Sequence, residues 1–447
     1  MTTGQVVVDD QDIHQGYGEL SALRLMGLWG LLFAGVLVIG IGFSASLGDG
    51  SSTDYTSFYR PVAERLVAGQ GLTETSGDPA LRYPPGYAVL LTVPAFISRH
   101  TGIGMDGLVF LFRAATVSLT GVVLFVLHRE RYGRRAGWAG LLLWFTYPVL
   151  AWMTAGPIVD VPYTLVLAIT ALVASRTLLR SRATTRSAAT LGALIGVGAL
   201  IRPNGVVVII PAALALWWAS QSDVRSDNTP GEWIRSVAPI VVLLVTAAAI
   251  TLPWVIWSSV RRGEFVPMST NGPATIRAGL EVGSGRDEET GTTWIPSAAS
   301  DFAARAARQP RPNTTGEIMS YLVHESRSHP GETVAMFGMK SIRSWYGTDS
   351  FRWDNLIAVV QVVYLALIVW GVARSRDGPG TRGYTAFVLT TTVLFWITCV
   401  AVVSIVRYMV PVLTLLIWLA PLGPISWLDH HPGSRAARAL RRCESPH

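Results

Sequence analysis

The chain has 447 residues, half of them hydrophobic and only 15% charged, with a mean hydropathy of +0.40, which argues against a soluble globular protein and makes lipid the expected solvent. A net charge of +7 and a pI near 9.6 would fit a nucleic-acid binder, but the arginines fall between apolar runs rather than on one stripe, so membrane topology explains them better. Cys399 lies inside an apolar run and Cys443 in the C-terminal tail, which leaves no disulfide framework and no cysteine metal site.

Residues 1–24 are acidic and polar and lack the positive start and small-residue cleavage site of a secretory signal. The first apolar run, Leu25 to Phe43, is therefore expected to be a retained spanning helix. Runs of near-spanning length follow at Gly107 to Leu127, Val237 to Trp257, Asn355 to Ala373 and Ala386 to Ile405. Arginines cluster at Arg129 to Arg135, Arg176 to Arg186, Arg374 to Arg382 and Arg435 to Arg442, and the positive-inside rule makes these segments cytoplasmic. The pattern predicts an all-α integral membrane bundle of about ten transmembrane helices with both termini inside. Residues 1–24 form the cytoplasmic N-terminus and 25–257 the N-terminal transmembrane region, with a first extracytoplasmic loop at 44–105. A large extracytoplasmic loop covers 258–354, the last helices span 355–428, and 429–447 is a cytoplasmic basic tail. Gly86 to Ile97, bounded by Pro84, Pro85 and Pro94, is too short to span and reads as an interfacial or re-entrant helix. Arg202-Pro203-Asn204-Gly205 splits the apolar stretch from Ala188 to Trp218 into two helices.

Several polar residues at the outer ends of these helices could carry chemistry. Asp54 starts a segment whose Tyr55, Phe58, Tyr59, Val62, Leu66 and Val67 recur at helical spacing, an amphipathic helix on the outer leaflet. Asp54 is either the cap of that helix or a general base at the exit of a membrane helix. Arg82, in the stiff RYPPGY element with Tyr83, can pair with a lipid phosphate, although a single snorkelling arginine is the commoner case. Asp160 opens the fourth span, where a carboxylate is costly unless paired or functional. Arg113, Arg202 and Arg407 fall on the same outer half, so these groups either converge on one outward cavity or form interhelical salt bridges.

Other polar motifs weigh less. The histidines of His324–His329 are five residues apart, one too many to share a helix face as zinc ligands. The run Asp287-Glu288-Glu289 reads as a solvated face. The chain has no Walker loop, no dinucleotide fingerprint and no DxD of the type that holds a nucleotide-sugar diphosphate through a metal, so a nucleotide donor has no evident seat.

The constellation resembles the membrane-embedded glycosyltransferases of the GT-C class, in particular the family-39-type bacterial group similar to protein mannosyltransferases and aminoarabinose transferases. The elements that carry it are Asp54, the helix ending in GQGL, Arg82 with Pro84 and Pro85, and Arg113. Asp160, the turn at Arg202, LPWVIW followed by GEFVPMSTNGPATIRAG, and RYMVP follow in the same order. The resemblance implies transfer of a sugar from a polyprenyl-phosphate donor to a glycan, lipid or protein acceptor at the outer face of the cytoplasmic membrane, with no nucleic-acid partner. It implies Asp54 as general base, inversion at the anomeric carbon, and Arg82 with Arg202 or Lys340 on the departing phosphate. Lys340 is the one lysine among 36 basic residues. Two departures, Tyr55 where many relatives have a second acid and an arginine displaced to Arg60, leave the phosphate contacts and any dependence on a divalent cation open. The rival readings are a transporter or flippase of lipid-linked saccharides, against which stands the missing inverted repeat, and a non-catalytic assembly factor.

Overall fold

A computed structural model describes residues 22–47, 54–150, 156, 158–224, 232–284, 295–310, 314–349, 351, 353–375 and 379–431. Asp287 to Glu289, Arg376, Arg435 to Arg442 and Cys443 lie outside these residues. Among the described residues the chain is helical, with one isolated β-bridge between Thr73 and Pro79.

Helix α1 (Ala22–Leu47) is followed by a π-turn at Tyr55–Tyr59 that runs into α2 (Arg60–Val67), α3 (Gly86–Thr101), α4 (Met105–Tyr132) and α5 (Arg134–Phe145). Next come α6 (Asp160–Leu179), α7 (Thr185–Ile201), a 3-10 turn at Pro203–Val208, α8 (Ile209–Val224) and α9 (Glu232–Arg262). Four shorter helices, α10 (Gly272–Leu280), α11 (Ser297–Arg308), α12 (Thr315–Ser328) and α13 (Pro330–Arg343), precede α14 (Asp354–Arg374), α15 (Pro379–Ala401), α16 (Val406–Ile417) and α17 (Leu422–His430).

Among the described residues eight segments are long and apolar enough to span a membrane: α1, α4, α6, α9, α14, α15, the turn plus α8, and α16 with α17. With the shorter apolar helix α7, of 17 residues, they form the bundle, against about ten spans expected from the sequence, and the chain is a multi-pass membrane protein. Helix α6 lies at the centre, packed by α4, α7, α8, α15 and α16. Helix α16 is buried on all sides, whereas α1, α9 and α14 keep most of their apolar surface outward, as lipid-facing helices do.

Small residues line the most extensive helix–helix contact among the described elements, between α7 and α9. Gly192 and Gly196 are one turn apart on α7, and a β-carbon on Gly192 would fall on the Leu243 carbonyl, while one on Gly196 would meet Ile250. In lipid, where apolar side chains gain little from leaving their solvent, such backbone approach is what holds two helices together.

The segment after Asp54 is amphipathic as expected, but its apolar face does not lie on lipid. Tyr55, Phe58, Tyr59, Val62 and Ala63 are buried in a cluster with Tyr87, Ala88 and Leu91 of α3. Helix α3 has 16 residues with Pro94 inside it, and Gly86 at its start touches the Leu200–Ile201 backbone at the end of α7. A side chain there would push α3 away, so this glycine fixes where the RYPPGY element meets the bundle. Helices α10 to α13 form a separate cluster around Leu280, Phe302, Ile318, Met336 and Met339.

Gly192→Leu is expected to prise α7 from α9 and destabilise the detergent-solubilised protein by about 1–3 kcal/mol. Thermal midpoints compared with Gly27→Leu, where nothing stands within 4 Å of an added β-carbon, check this.

Candidate active site

Two polar clusters meet at the end of the bundle where α4, α6 and α16 begin. The outer one is built on Asp54. This residue has helical backbone angles (φ −67, ψ −35) and its side chain accepts no capping hydrogen bond, so its carboxylate is not spent on the helix it precedes. Instead Tyr83 Oη donates to Asp54 Oδ1 at 2.8 Å, and an Arg82 guanidinium nitrogen lies 3.7 Å from the same oxygen. Both members of that ion pair are about a third or more exposed, so the pairing is weak and the carboxylate stays reachable. A π-turn begins at the next residue, a rare geometry that recurs at functional sites.

The Tyr83 ring is clamped between Tyr59, stacked at 5.2 Å, and Phe58, edge-on at 5.2 Å. Burial first, then the charge of Asp54 and the hydrogen bond to it, push the Tyr83 phenol well above its usual range. Tyr83 is therefore a fixed hydroxyl donor at any working pH.

The inner cluster is built on Asp160, which opens α6 and has no exposed side-chain surface. Its carboxylate pairs with Arg202, at the break between α7 and the 3-10 turn, and accepts from Arg407 Nε at 2.8 Å, in the first turn of α16. Arg202 also lies over the Tyr408 ring at 4.6 Å. Both carboxylate oxygens are thus engaged by guanidiniums, which makes Asp160 the holder of two arginines.

Arg113, two turns inside α4, has no such partner. It is 5% exposed, its Nε and Nη1 find no hydrogen-bond partner among the described residues, and neither does the buried hydroxyl of Tyr87. Burial raises the Tyr87 phenol, while Arg113 and then Arg407 act to lower it, so both guanidiniums lie within electrostatic reach of that hydroxyl. Tyr59 likewise senses Asp54 on one side and Arg407 on the other, which brings the two clusters together. Two buried arginines, Arg113 and Arg202, and the partly buried Arg407 here face one buried carboxylate. A surplus of positive charge at membrane depth is stable only against water or an anionic ligand.

Lys340 stands apart. It is fully buried in α13, and its Nζ donates to the Val402 carbonyl at 3.1 Å, just past the end of α15. Burial lowers its pKa to about 7. The arginine displaced to position 60 binds Asp106 at 3.1 Å and Glu64 at 2.9 Å. Glu325, from the histidine-flanked segment, is buried against Arg305. A cavity of about 240 Å³ between α10, α11 and α12 contains none of the expected residues; its Arg277 donates to carbonyls at the end of α11. Sequence reasoning passed over Asn271 and Tyr87. Asn271 stands in a stretch quoted for its resemblance, but only its contact with Tyr83 reveals a role.

A family model described as dolichyl-phosphate-mannose-protein mannosyltransferase matches residues 84–257, a region holding Arg113, Asp160 and Arg202. No curated protein matches the chain. Among solved structures, ArnT from Cupriavidus metallidurans bound to undecaprenyl phosphate is 18% identical, with 90% of this chain and 80% of that one covered at a TM-score of 0.40. The archaeal oligosaccharyltransferase AglB from Archaeoglobus fulgidus, in complex with an inhibitory peptide and a dolichol-phosphate, is 13% identical, with 93% and 52% covered at a TM-score of 0.47. The family match bears out the resemblance carried by the sequence motifs, that of a GT-C-class, mannosyltransferase-like membrane glycosyltransferase.

Two outcomes are expected from the geometry. Asp160→Asn leaves Arg202 and Arg407 without a counter-charge and should cost about 3–5 kcal/mol of stability, whereas Asp54→Asn should change it by less than about 1 kcal/mol; thermal unfolding in detergent separates them. Lys340 binds its proton more weakly folded than unfolded, so stability should rise as pH is raised from about 7 toward the ordinary lysine range, by up to about 1.4 kcal/mol per pH unit. Lys340→Met should flatten that rise in a series of thermal midpoints against pH.

Proposed function

We propose that this protein transfers a sugar from a polyprenyl-phosphate-linked donor to an acceptor hydroxyl or amine on the extracytoplasmic side of the cytoplasmic membrane, with inversion. The observation that carries this reading is the surplus of guanidinium charge, the buried Arg113 and Arg202 and the partly buried Arg407 against Asp160, beside an accessible carboxylate, Asp54, that no helix cap consumes.

The chemistry follows from the charges. The donor phosphodiester carries one negative charge, and when the bond from the anomeric carbon to phosphate oxygen breaks, its electrons leave with the phosphate, which gains a second. Buried arginines favour that developing charge over the ground state, and such differential binding lowers the barrier. Arg82, at the rim beside Asp54, and Arg113, with its unpartnered nitrogens, are the groups best placed to take phosphate oxygens.

At the acceptor, the attacking oxygen or nitrogen bonds to the anomeric carbon as its proton passes to Asp54. Tyr83 and Arg82 both approach Oδ1, which leaves Oδ2 to receive that proton. A single displacement of this kind inverts the anomeric centre. Asp160 sets Arg202 and Arg407 in place, and Lys340 fastens α13 to the connector that leads into α16.

Membranes carrying the native chain or Asp54→Asn, given radiolabelled polyprenyl phosphosugars with mannose first, test the reading. Transfer to endogenous acceptors should fall about 10²–10⁴-fold in the variant at equal expression. Equal labelling by the two for every donor would remove Asp54 from the chemistry and move the flippase reading to first place.

A further inference from the structure

The segment Ser269-Thr270-Asn271, between α9 and α10, is fastened to the element that holds Arg82 and Tyr83. Ser269 Oγ donates to the Arg82 carbonyl at 2.6 Å, and Thr270 donates to the Leu81 carbonyl through its backbone N–H at 3.2 Å and through Oγ1 at 3.1 Å. Asn271 Nδ2 donates to Tyr83 Oη at 3.0 Å and to Thr275 Oγ1 at 2.9 Å. Tyr83 Oη in turn donates to Asp54 Oδ1 at 2.8 Å.

We propose that Asn271 is a positioning residue for the transfer reaction, acting through Tyr83 to hold the Asp54 carboxylate in the orientation that leaves Oδ2 facing the acceptor. This rests on the reading of Asp54 as the base.

The argument is one of donors and acceptors. A tyrosine hydroxyl has a single proton and can also accept. With Asn271 donating into the Tyr83 oxygen, the phenol proton is directed to Asp54, and the chain of donors runs one way, from the amide through the phenol to the carboxylate. Burial keeps the Tyr83 phenol protonated, so the relay does not switch off with pH. The amide is itself fixed: Thr275 Oγ1 accepts its second hydrogen while donating to the Asn271 carbonyl at 2.8 Å, and the Asn271 N–H is held by Ser269 Oγ at 3.1 Å. Asp54 is about a third exposed and makes no cap, so without Tyr83 the 3.7 Å contact with Arg82 is what orients its side chain among the described residues. The base in the first loop is thereby aligned by a residue of the large loop.

A double-mutant cycle on the full-length protein in membranes tests this, with Asn271→Ala, Tyr83→Phe, their combination and Asp54→Asn measured on the same polyprenyl phosphosugar. Each single change should lower kcat about tenfold and leave the donor KM within about twofold. The combination should be no worse than the more damaging single, because the amide acts only through the phenol. Asn271→Asp, which keeps the shape but replaces the donor by an acceptor competing for the Tyr83 proton, should be at least as damaging as Asn271→Ala. Losses that multiply in the combination, full activity in Asn271→Asp, or a change confined to KM would each overturn the proposal and leave Asn271 as a fastener of the loop. Unchanged transfer in Asp54→Asn would instead overturn the reading of the base on which it rests.

Discussion

A carboxylate with no exposed surface has to be paired, and the pairing of Asp160 with Arg202 and Arg407 is the constraint around which the site end of the bundle is organised. The three residues come from the start of α6, the break after α7 and the first turn of α16. No one of those helix ends can move without parting charges in a medium that does not solvate them. Pro203 stops α7 at Arg202 instead of letting it run on into α8: the residue before it adopts an extended backbone (φ −142, ψ 116), which turns the Arg202 side chain out of the helical path, where it meets Asp160. The clamp explains why an arginine is tolerated in the first turn of the most buried helix, since α16 packs apolar side chains on every side and brings its one charge to Asp160.

The two carboxylates at this end are separated by environment. Asp160 is dry and doubly paired, hence structural in its contacts, while Asp54 is partly wet, singly hydrogen-bonded and only loosely matched to Arg82. The arginines divide in the same way: Arg202 and Arg407 are committed to Asp160, and Arg113 is buried with open nitrogens. A site that must receive a phosphate and release it more negative benefits from that division, because the fixed pair shapes the field without competing for the ligand.

Among the contacts that join the cluster of α10 to α13 to the bundle, two sets lie next to functional groups. Ser269 to Asn271 grip the backbone and side chain of the Arg82–Tyr83 element. At the other end Lys340 holds the Val402 carbonyl, Arg343 reaches the Ser404 carbonyl, and the Val406 N–H bonds the Gly347 carbonyl, all within five residues of Arg407. Gly279 permits this contact, since a β-carbon there would fall on the Val402 carbonyl. Arg343 in turn fixes the start of α14 through Asp354, whose carboxylate accepts from Thr348 at 2.7 Å.

By itself the sequence determined the membrane class, the approximate number of helices, the short α3 bounded by prolines and the break at Arg202, because these depend on run length, period and backbone-restricting residues. It also marked the charged residues that the structure gathers at one end, since a charge in an apolar run is conspicuous in any alignment-free reading. What it left open was what each charge does. Asp54 reads equally as a cap or a base until the direction of its side chain is known, and Asp160 reads as either functional or paired until two arginines from 42 and 247 residues away are seen on its carboxylate. The apolar stripe after Asp54 is the same whether it meets lipid or α3. Asn271, a plain amide in a polar loop, gives no local signal at all. Periodicity and composition are local properties of the chain, whereas the pairing of a donor with an acceptor is a property of distance, and the residues that pair here are far apart in sequence and meet only when the bundle closes.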